Sequence, residues 1–210
     1  MSTPAPLTEL EAYLAALLQG RHFEAAVIGA SAGGVAALLE ILPGLPREVP
    51  VPVVVVVHML RGRSSQLAEL FASRLAIPVR EAGDKEDVAP GAVYFAPADY
   101  HLSVENDATF SLSNEPLHIF SRPAIDFAMQ SAADAYGPNL VGILLTGASH
   151  DGAAGLAAIG AAGGLTVVQD PHEAQSPLMP EAAIRLRQPD LVLPLRDIRT
   201  LLARLERGNS

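Results

Sequence analysis

Five consecutive valines, Val53–Val57, lie between Pro52 and His58 and constrain this chain's fold more than any other segment. A β-branched residue at every position favours extended backbone and disfavours helix. A strand with one wet face alternates apolar and polar residues. A run without alternation instead needs cover on both faces, which a parallel sheet between two layers of helices provides. The segments around the run supply those layers.

Strand and helix patterns alternate from residue 25 onward. Strands are expected over 25–29, 53–57, 77–80, 92–95, 140–145, 165–169 and 191–193. Helices are expected over 33–41, 64–75, 124–136, 152–161 and 181–187, with a last one from Asp197. Ser64 or Ser65 is the expected cap of the second. Two short runs, 102–105 and 109–112, flank Asn106-Asp107 and read as a β-hairpin. Before the first strand, Thr8-x-x-Glu11 opens an amphipathic stretch with the capping-box spacing. The expected architecture is α/β: a doubly wound, mostly parallel, Rossmann-like three-layer sheet with an antiparallel hairpin insertion. Residues 1–20 are expected to form a helical extension, and 21–210 a single domain.

Composition narrows the partners. A chain of 210 residues, half of them hydrophobic, can bury one sizeable core. Its net charge of −9 argues against nucleic acid or an anionic membrane surface as partner. There is no cysteine, which removes disulfides and thiolate chemistry. No Lys or Arg precedes Arg21, and Glu9 and Glu11 stand where a secretory signal would be apolar. The apolar run near 51–57 is far shorter than the roughly 20 residues that span a bilayer. A cytoplasmic protein without membrane insertion is expected.

In a doubly wound sheet, ligands sit beyond the carboxyl ends of the strands. Three loops there carry a polar residue directly after an apolar strand: 29–34 with Ser31, 58–63 with His58, and 146–155 with Asp151. Gly29-x-Ser31-x-Gly33 fits a nucleophile elbow, in which a sharp turn lifts a serine above the sheet at a helix N-terminus. Serine, histidine and aspartate on one rim compose a catalytic triad. Their chain order, Ser, His, Asp, differs from the Ser, Asp, His order of α/β-hydrolases.

Each residue also has a plainer reading. Ser31 could cap the following helix, or stand beside a bound phosphate in a non-catalytic nucleotide-binding module. A dinucleotide site, however, wants an acidic residue closing the second strand, and His58 stands there instead. Asp151 precedes a helix and would cap it, a role compatible with orienting a histidine. His22, His101, His118 and His172 fall in or near loops, where exposure is the default. Ser149-His150-Asp151 cannot be a triad by itself, because consecutive side chains diverge. Arg61, Arg63 and Arg122 could bind a carboxylate or simply face solvent. The charge run 81–87 reads as an exposed loop, and no His, Asp and Glu spacing resembles a metal site.

These segments together resemble the catalytic domain of the chemotaxis protein-glutamate methylesterases, the CheB family. The resemblance is carried by Val27-Ile28-Gly29-Ala30-Ser31-x-Gly33-Gly34, Val57-His58-Met59, and Tyr94-Phe95-Ala96-Pro97 with His101-Leu102. It continues through Arg122-Pro123-Ala124-Ile125-Asp126 and Leu145-Thr146-Gly147-x-x-x-Asp151-Gly152-Ala153-x-Gly155. Gln169-Asp170-Pro171 and Met179-Pro180 complete it. It implies hydrolysis of glutamate γ-methyl esters on the cytoplasmic domain of chemoreceptors, with glutamine deamidation as a related activity. It also implies Ser31, His58 and Asp151 as the catalytic residues, an oxyanion hole from the backbone of Ala32 and Ala148, and neither metal nor cofactor. The family usually carries a receiver domain ahead of the esterase, so a stand-alone catalytic domain with a separate regulator is expected. Ala32 stands where threonine is common, and Ala148-Ser149 where methionine and glycine are. A serine esterase of this fold acting on a different ester is the alternative reading.

Overall fold

The computed structural model describes residues 8–58 and 66–205. In chain order the first elements are α1 (Glu9–Leu18), β1 (Ala25–Ala30), α2 (Gly34–Ile41), β2 (Val53–Val57) and α3 (Leu67–Ala72). Four short strands follow: β3 (Val79–Glu81), β4 (Val93–Phe95), β5 (His101–Val104) and β6 (Phe110–Ser113). Then come α4 (Ile125–Tyr136), β7 (Leu140–Leu144), α5 (Ala153–Ala161), β8 (Leu165–Gln169), α6 (Leu178–Leu186), β9 (Leu191–Leu193) and α7 (Leu195–Leu202).

Seven strands form one parallel sheet in the order β3-β4-β2-β1-β7-β8-β9. All five valines of β2 are buried, as the lack of alternation requires. Val53, Val55 and Val57 face a core with Leu38 and Ile41 of α2, Phe71 of α3 and Ile198, Leu201 and Leu202 of α7. Val54 and Val56 face a second core with Ile125 and Met129 of α4, Leu156 and Ile159 of α5 and Met179 of α6. The hairpin β5–β6 stands outside the sheet and adds Leu102, Val104 and Phe110 to that second core. Helix α1 contributes Leu14 to the first core, and its Thr8–Glu11 capping box is formed.

Several boundaries differ from the sequence expectation. Helix α6 starts at Leu178 rather than 181, with Pro180 inside its first turn. Proline is tolerated there because the amide it lacks has no intrahelical acceptor. Helix α7 starts at Leu195, directly after Pro194, and α3 spans only Leu67–Ala72. The proposed caps Ser64 and Ser65 lie outside the described residues, as do Arg61 and Arg63.

The chain leaves β1 in one direction towards β2 and in the other towards β7, so β1 and β7 bracket a topological switch point. Crevices form at the carboxyl ends of strands at such a point. Among the described residues no helix is long and apolar enough to cross a membrane.

Candidate active site

Ser31, His58 and the 146–151 loop meet at that switch point because their strands are neighbours. Ala30 pairs with Val57 across β1 and β2, and the His58 amide donates to the Ala30 carbonyl at 3.1 Å. On the other side the Ser31 amide donates to the Thr146 carbonyl at 3.0 Å. Parallel register thus places all three loops within about one strand spacing, ~4.8 Å, of their neighbours.

The Ser31 turn is held by its surroundings rather than by its own hydroxyl. Gly33 is left-handed, with φ +80°, and forms the N-cap of α2 without a side-chain hydrogen bond. Ser31 is therefore not the helix cap. The Thr146 hydroxyl donates to the Ala32 carbonyl at 2.9 Å and accepts from the Ser176 amide at 2.9 Å. The Thr146 amide donates to Oε1 of Gln169 at 2.8 Å. One threonine so ties the serine turn to the loop after β8. Gly147 packs so closely that a Cβ there would lie 2.6 Å from Met179 and 2.9 Å from Cβ of Ser31.

His58 and Asp151 are in direct contact: Nε2 of His58 lies 2.7 Å from Oδ2 of Asp151. Asp151 is fully buried, and its carboxylate also accepts from the amides of Ile125 at 2.7 Å and Asp126 at 2.9 Å. Asp151 thus caps α4, which is remote in sequence, and not the helix that follows it. The cap of α5 is Gly152. Asp126 returns the arrangement: its Oδ1 accepts from the amides of Gly152 at 2.9 Å and Gly155 at 2.7 Å. The two helices therefore exchange carboxylates at their N-termini, where anions are stabilised.

The electrostatics separate the two acids. Burial alone would raise the Asp151 carboxyl. The hydrogen bond from His58, the two amides and the charge of His58 outweigh it and hold Asp151 below the usual carboxylate range. Burial pushes Asp126 upward, the charge of Asp151 adds to it, and the Gly155 amide and His118 offset it only in part. Asp151 is the ionised member beside His58.

The other ring nitrogen, Nδ1 of His58, faces the cleft, 3.2 Å from the hydroxyl of Ser121. With Asp151 taking Nε2–H, Nδ1 is the basic nitrogen. Among the described residues Ser31 makes no hydrogen bond to His58, but both line one cleft of about 600 Å³. Ala32, Ile119, Phe120, Ser121, Ala148 and Ser149 line the same cleft. Neither the Ala32 nor the Ala148 amide has an acceptor among the described residues.

The readings of His101 and Arg122 need correction. His101 is buried, not solvated: Nδ1 accepts from the Ala124 amide at 3.2 Å, and Nε2 lies 3.1 Å from the Pro116 carbonyl. This pairing fixes the neutral Nε2–H tautomer, and burial pushes the imidazole below its ordinary range. Nε2 of His118 lies 3.1 Å from Oδ2 of Asp126. Arg122 donates to the carbonyls of Asn114 at 2.7 Å and Glu115 at 2.9 Å, holding a loop rather than a ligand carboxylate.

Folding also gathers His118, Asp126 and Asp151, whose ligand atoms lie within 4.8 Å of one another, a grouping that sequence spacing did not suggest. Their oxygens already accept from amides and imidazoles, so the hydrogen bonds account for the cluster. Ser121 was also missed. It lies far from the rim loops in sequence, and only the hairpin-like turn 118–121 carries it to His58.

Residues 26–202 match the CheB methylesterase family. A Leptospira interrogans protein, provisionally named a protein-glutamate methylesterase/protein-glutamine glutaminase, is 43% identical over 188 residues, covering 90% of this chain and 97% of its own length. A Carboxydothermus hydrogenoformans protein of the same dual name is 42% identical over 180 residues, and the match spans 52% of that longer protein. The crystal structure of the Thermotoga maritima CheB methylesterase catalytic domain superposes with a TM-score of 0.83 at 36% identity, covering 88% of this chain and 99% of that one. The chain belongs to the CheB methylesterase family.

Proposed function

We propose that this chain is a serine hydrolase that cleaves glutamate γ-methyl esters on the helical cytoplasmic domain of chemoreceptors, releasing glutamate and methanol. The observation that carries the reading is the His58–Asp151 contact at 2.7 Å beside Ser31 in one cleft. Family membership supplies the ester. A cytoplasmic location and a regulator carried on another chain belong to the same proposal, as does the division into a helical extension, 1–20, and a catalytic domain, 21–210.

In this mechanism Nδ1 of His58 takes the Ser31 proton as Oγ attacks the ester carbonyl. The amides of Ala32 and Ala148 hold the oxyanion, a backbone role that alanine fills as well as threonine or methionine. Collapse breaks the bond to the methoxy oxygen, and His58 returns the proton to it as methanol departs. Water then attacks the acyl-serine, gives a proton to His58, and the acyl–oxygen bond breaks. His58 reprotonates Ser31, and the product glutamate leaves. Asp151, held ionised, accepts Nε2–H throughout and stabilises the imidazolium. A glutamine side chain would release ammonia by the same steps.

The test is methanol release from a methylated receptor cytoplasmic fragment. Stoichiometric methanol with loss of one methyl group per modified glutamate supports the reading. Turnover of a simple nitrophenyl ester with an untouched receptor fragment favours a different ester.

A further inference from the structure

We propose that the turn Ile119-Phe120 is the docking element that grips the helix bearing the esterified glutamate. The proposal rests on the receptor-ester reading above and specifies how that substrate is held.

The turn is unusual in both chemistry and conformation. His118 and Ser121 pair as a minimal antiparallel bridge, with the Ser121 amide donating to the His118 carbonyl at 2.8 Å and the His118 amide to the Ser121 carbonyl at 3.2 Å. Ile119 and Phe120 between them have φ of 45° and 64°. Both central residues left-handed is the signature of a type I′ turn, which favours Asn-Gly. A β-branched residue and an aromatic resist that conformation, so their presence sacrifices local stability. Strain of this kind collects where a side chain has work to do.

The side chains are also displayed. Phe120 is 91% exposed, the most open of six large apolar side chains exposed among the described residues. Three of the six, Ile119, Phe120 and Leu186, line two cavities that share Ile119 and His150. Phe120 and Ile119 line the cleft with Ser31 and His58, and Ile119 also lines a second cavity of about 420 Å³ together with Leu186. Clustered exposed apolar surface of this kind marks a binding site.

The size of the cleft selects the occupant. About 600 Å³ admits the glutamyl ester side chain. A helix about 10–12 Å across must stay on the rim. Residues three or four positions from the modified glutamate share its face and reach the rim beside it. Phe120 and Ile119 would meet an apolar residue one turn away. The stem fixes this geometry relative to the chemistry, since Ser121 touches His58 and His118 touches Asp126.

The experiment compares methanol release from a methylated receptor cytoplasmic fragment and from N-acetylglutamate γ-methyl ester. Enzymes are the unmodified chain, Phe120→Ala, and the double variant Ile119→Asn with Phe120→Gly, whose residues suit the turn. Both variants should raise KM for the receptor fragment about tenfold, the scale of a lost aromatic anchor, with kcat nearly unchanged. Both should hydrolyse the small ester within about twofold of the unmodified chain, and the double variant should melt at a higher temperature. Receptor turnover indifferent to both changes overturns the docking role, as does an equal loss on both substrates. Full receptor activity in the double variant alongside loss in Phe120→Ala also overturns it, because backbone shape would then suffice. An unmodified chain that cleaves the small ester but not the receptor fragment refutes the receptor reading and the docking role together.

Discussion

The Ser121 hydroxyl lies 3.2 Å from Nδ1 of His58, the ring nitrogen opposite the one that Asp151 holds. Three serines, Ser31, Ser121 and Ser149, line the cleft that His58 borders. Ser31 directly follows β1 at a strand-to-helix turn with the unengaged Ala32 amide beside it, whereas the Ser149 hydroxyl already accepts from the Asp151 amide at 3.2 Å. Ser121→Ala should keep activity within about tenfold, because it removes a competitor for Nδ1 and no reacting atom. A fluorophosphonate should label the peptide containing Ser31 and leave the one containing Ser121 unmodified. Label on Ser121 would reassign the nucleophile.

Asp151 has two roles that one substitution separates. Asn retains one oxygen for the α4 amides but places an NH2 group or a poor acceptor opposite His58. Asp151→Asn should lower kcat by about 10⁴, the scale seen when a triad aspartate loses its charge. It should cost only about 1 kcal/mol of stability, the value of a weakened cap. A melting temperature shift of about 2–4 °C is the corresponding thermal readout. Collapse of the fold with any surviving activity intact would contradict this division.

Gly147 sets the distance between the serine turn and Met179. A Cβ there would meet Met179 at 2.6 Å and Ser31 at 2.9 Å. Gly147→Ala should cost about 1–3 kcal/mol in a denaturant melt through overpacking. Displacement of Ser31 by about 1 Å should lower kcat about 10²-fold. Unchanged kcat would show that the turn relaxes elsewhere.

His101 gives the fold an acid-side sensitivity. Its imidazole is lowered by burial, so the folded chain binds fewer protons there than the unfolded chain does. Stability should thus fall as pH drops below about 6.5, the unfolded value, and continue to fall until the folded value is passed. Imidazole resonances of His101 should stay in their neutral positions well below about pH 6.5. Titration at the ordinary value would show that the Ala124 and Pro116 contacts do not hold in solution.

The sheet was legible in Val53–Val57, because lack of alternation reports burial on both faces and parallel strands force helical crossovers. The placement of Ser31, His58 and Asp151 on one rim was legible for a related reason: Ser31 and His58 directly follow apolar strands at the carboxyl end of the sheet, and Asp151 lies in the loop after a third. What the residues hold could not be read locally. Asp151 caps a helix that starts 26 positions earlier, and local pattern pairs it with the helix beside it. Ile119-Phe120 gave no turn signal, since left-handed backbone is expected of glycine or asparagine. Ser121 stayed hidden with it. Pro180 fell just outside the expected helix 181–187, although it stands inside the first turn of α6.

The central claim is that Ser31 is the nucleophile of glutamyl methyl ester hydrolysis. Its most direct test is methanol release from a methylated receptor fragment by the unmodified chain beside Ser31→Ala, with both melting temperatures recorded. The account predicts steady release by the first, and a drop of about 10³-fold or more in the second at equal stability, since the nucleophile and its base act as a unit. Comparable methanol release by a folded Ser31→Ala chain would contradict it.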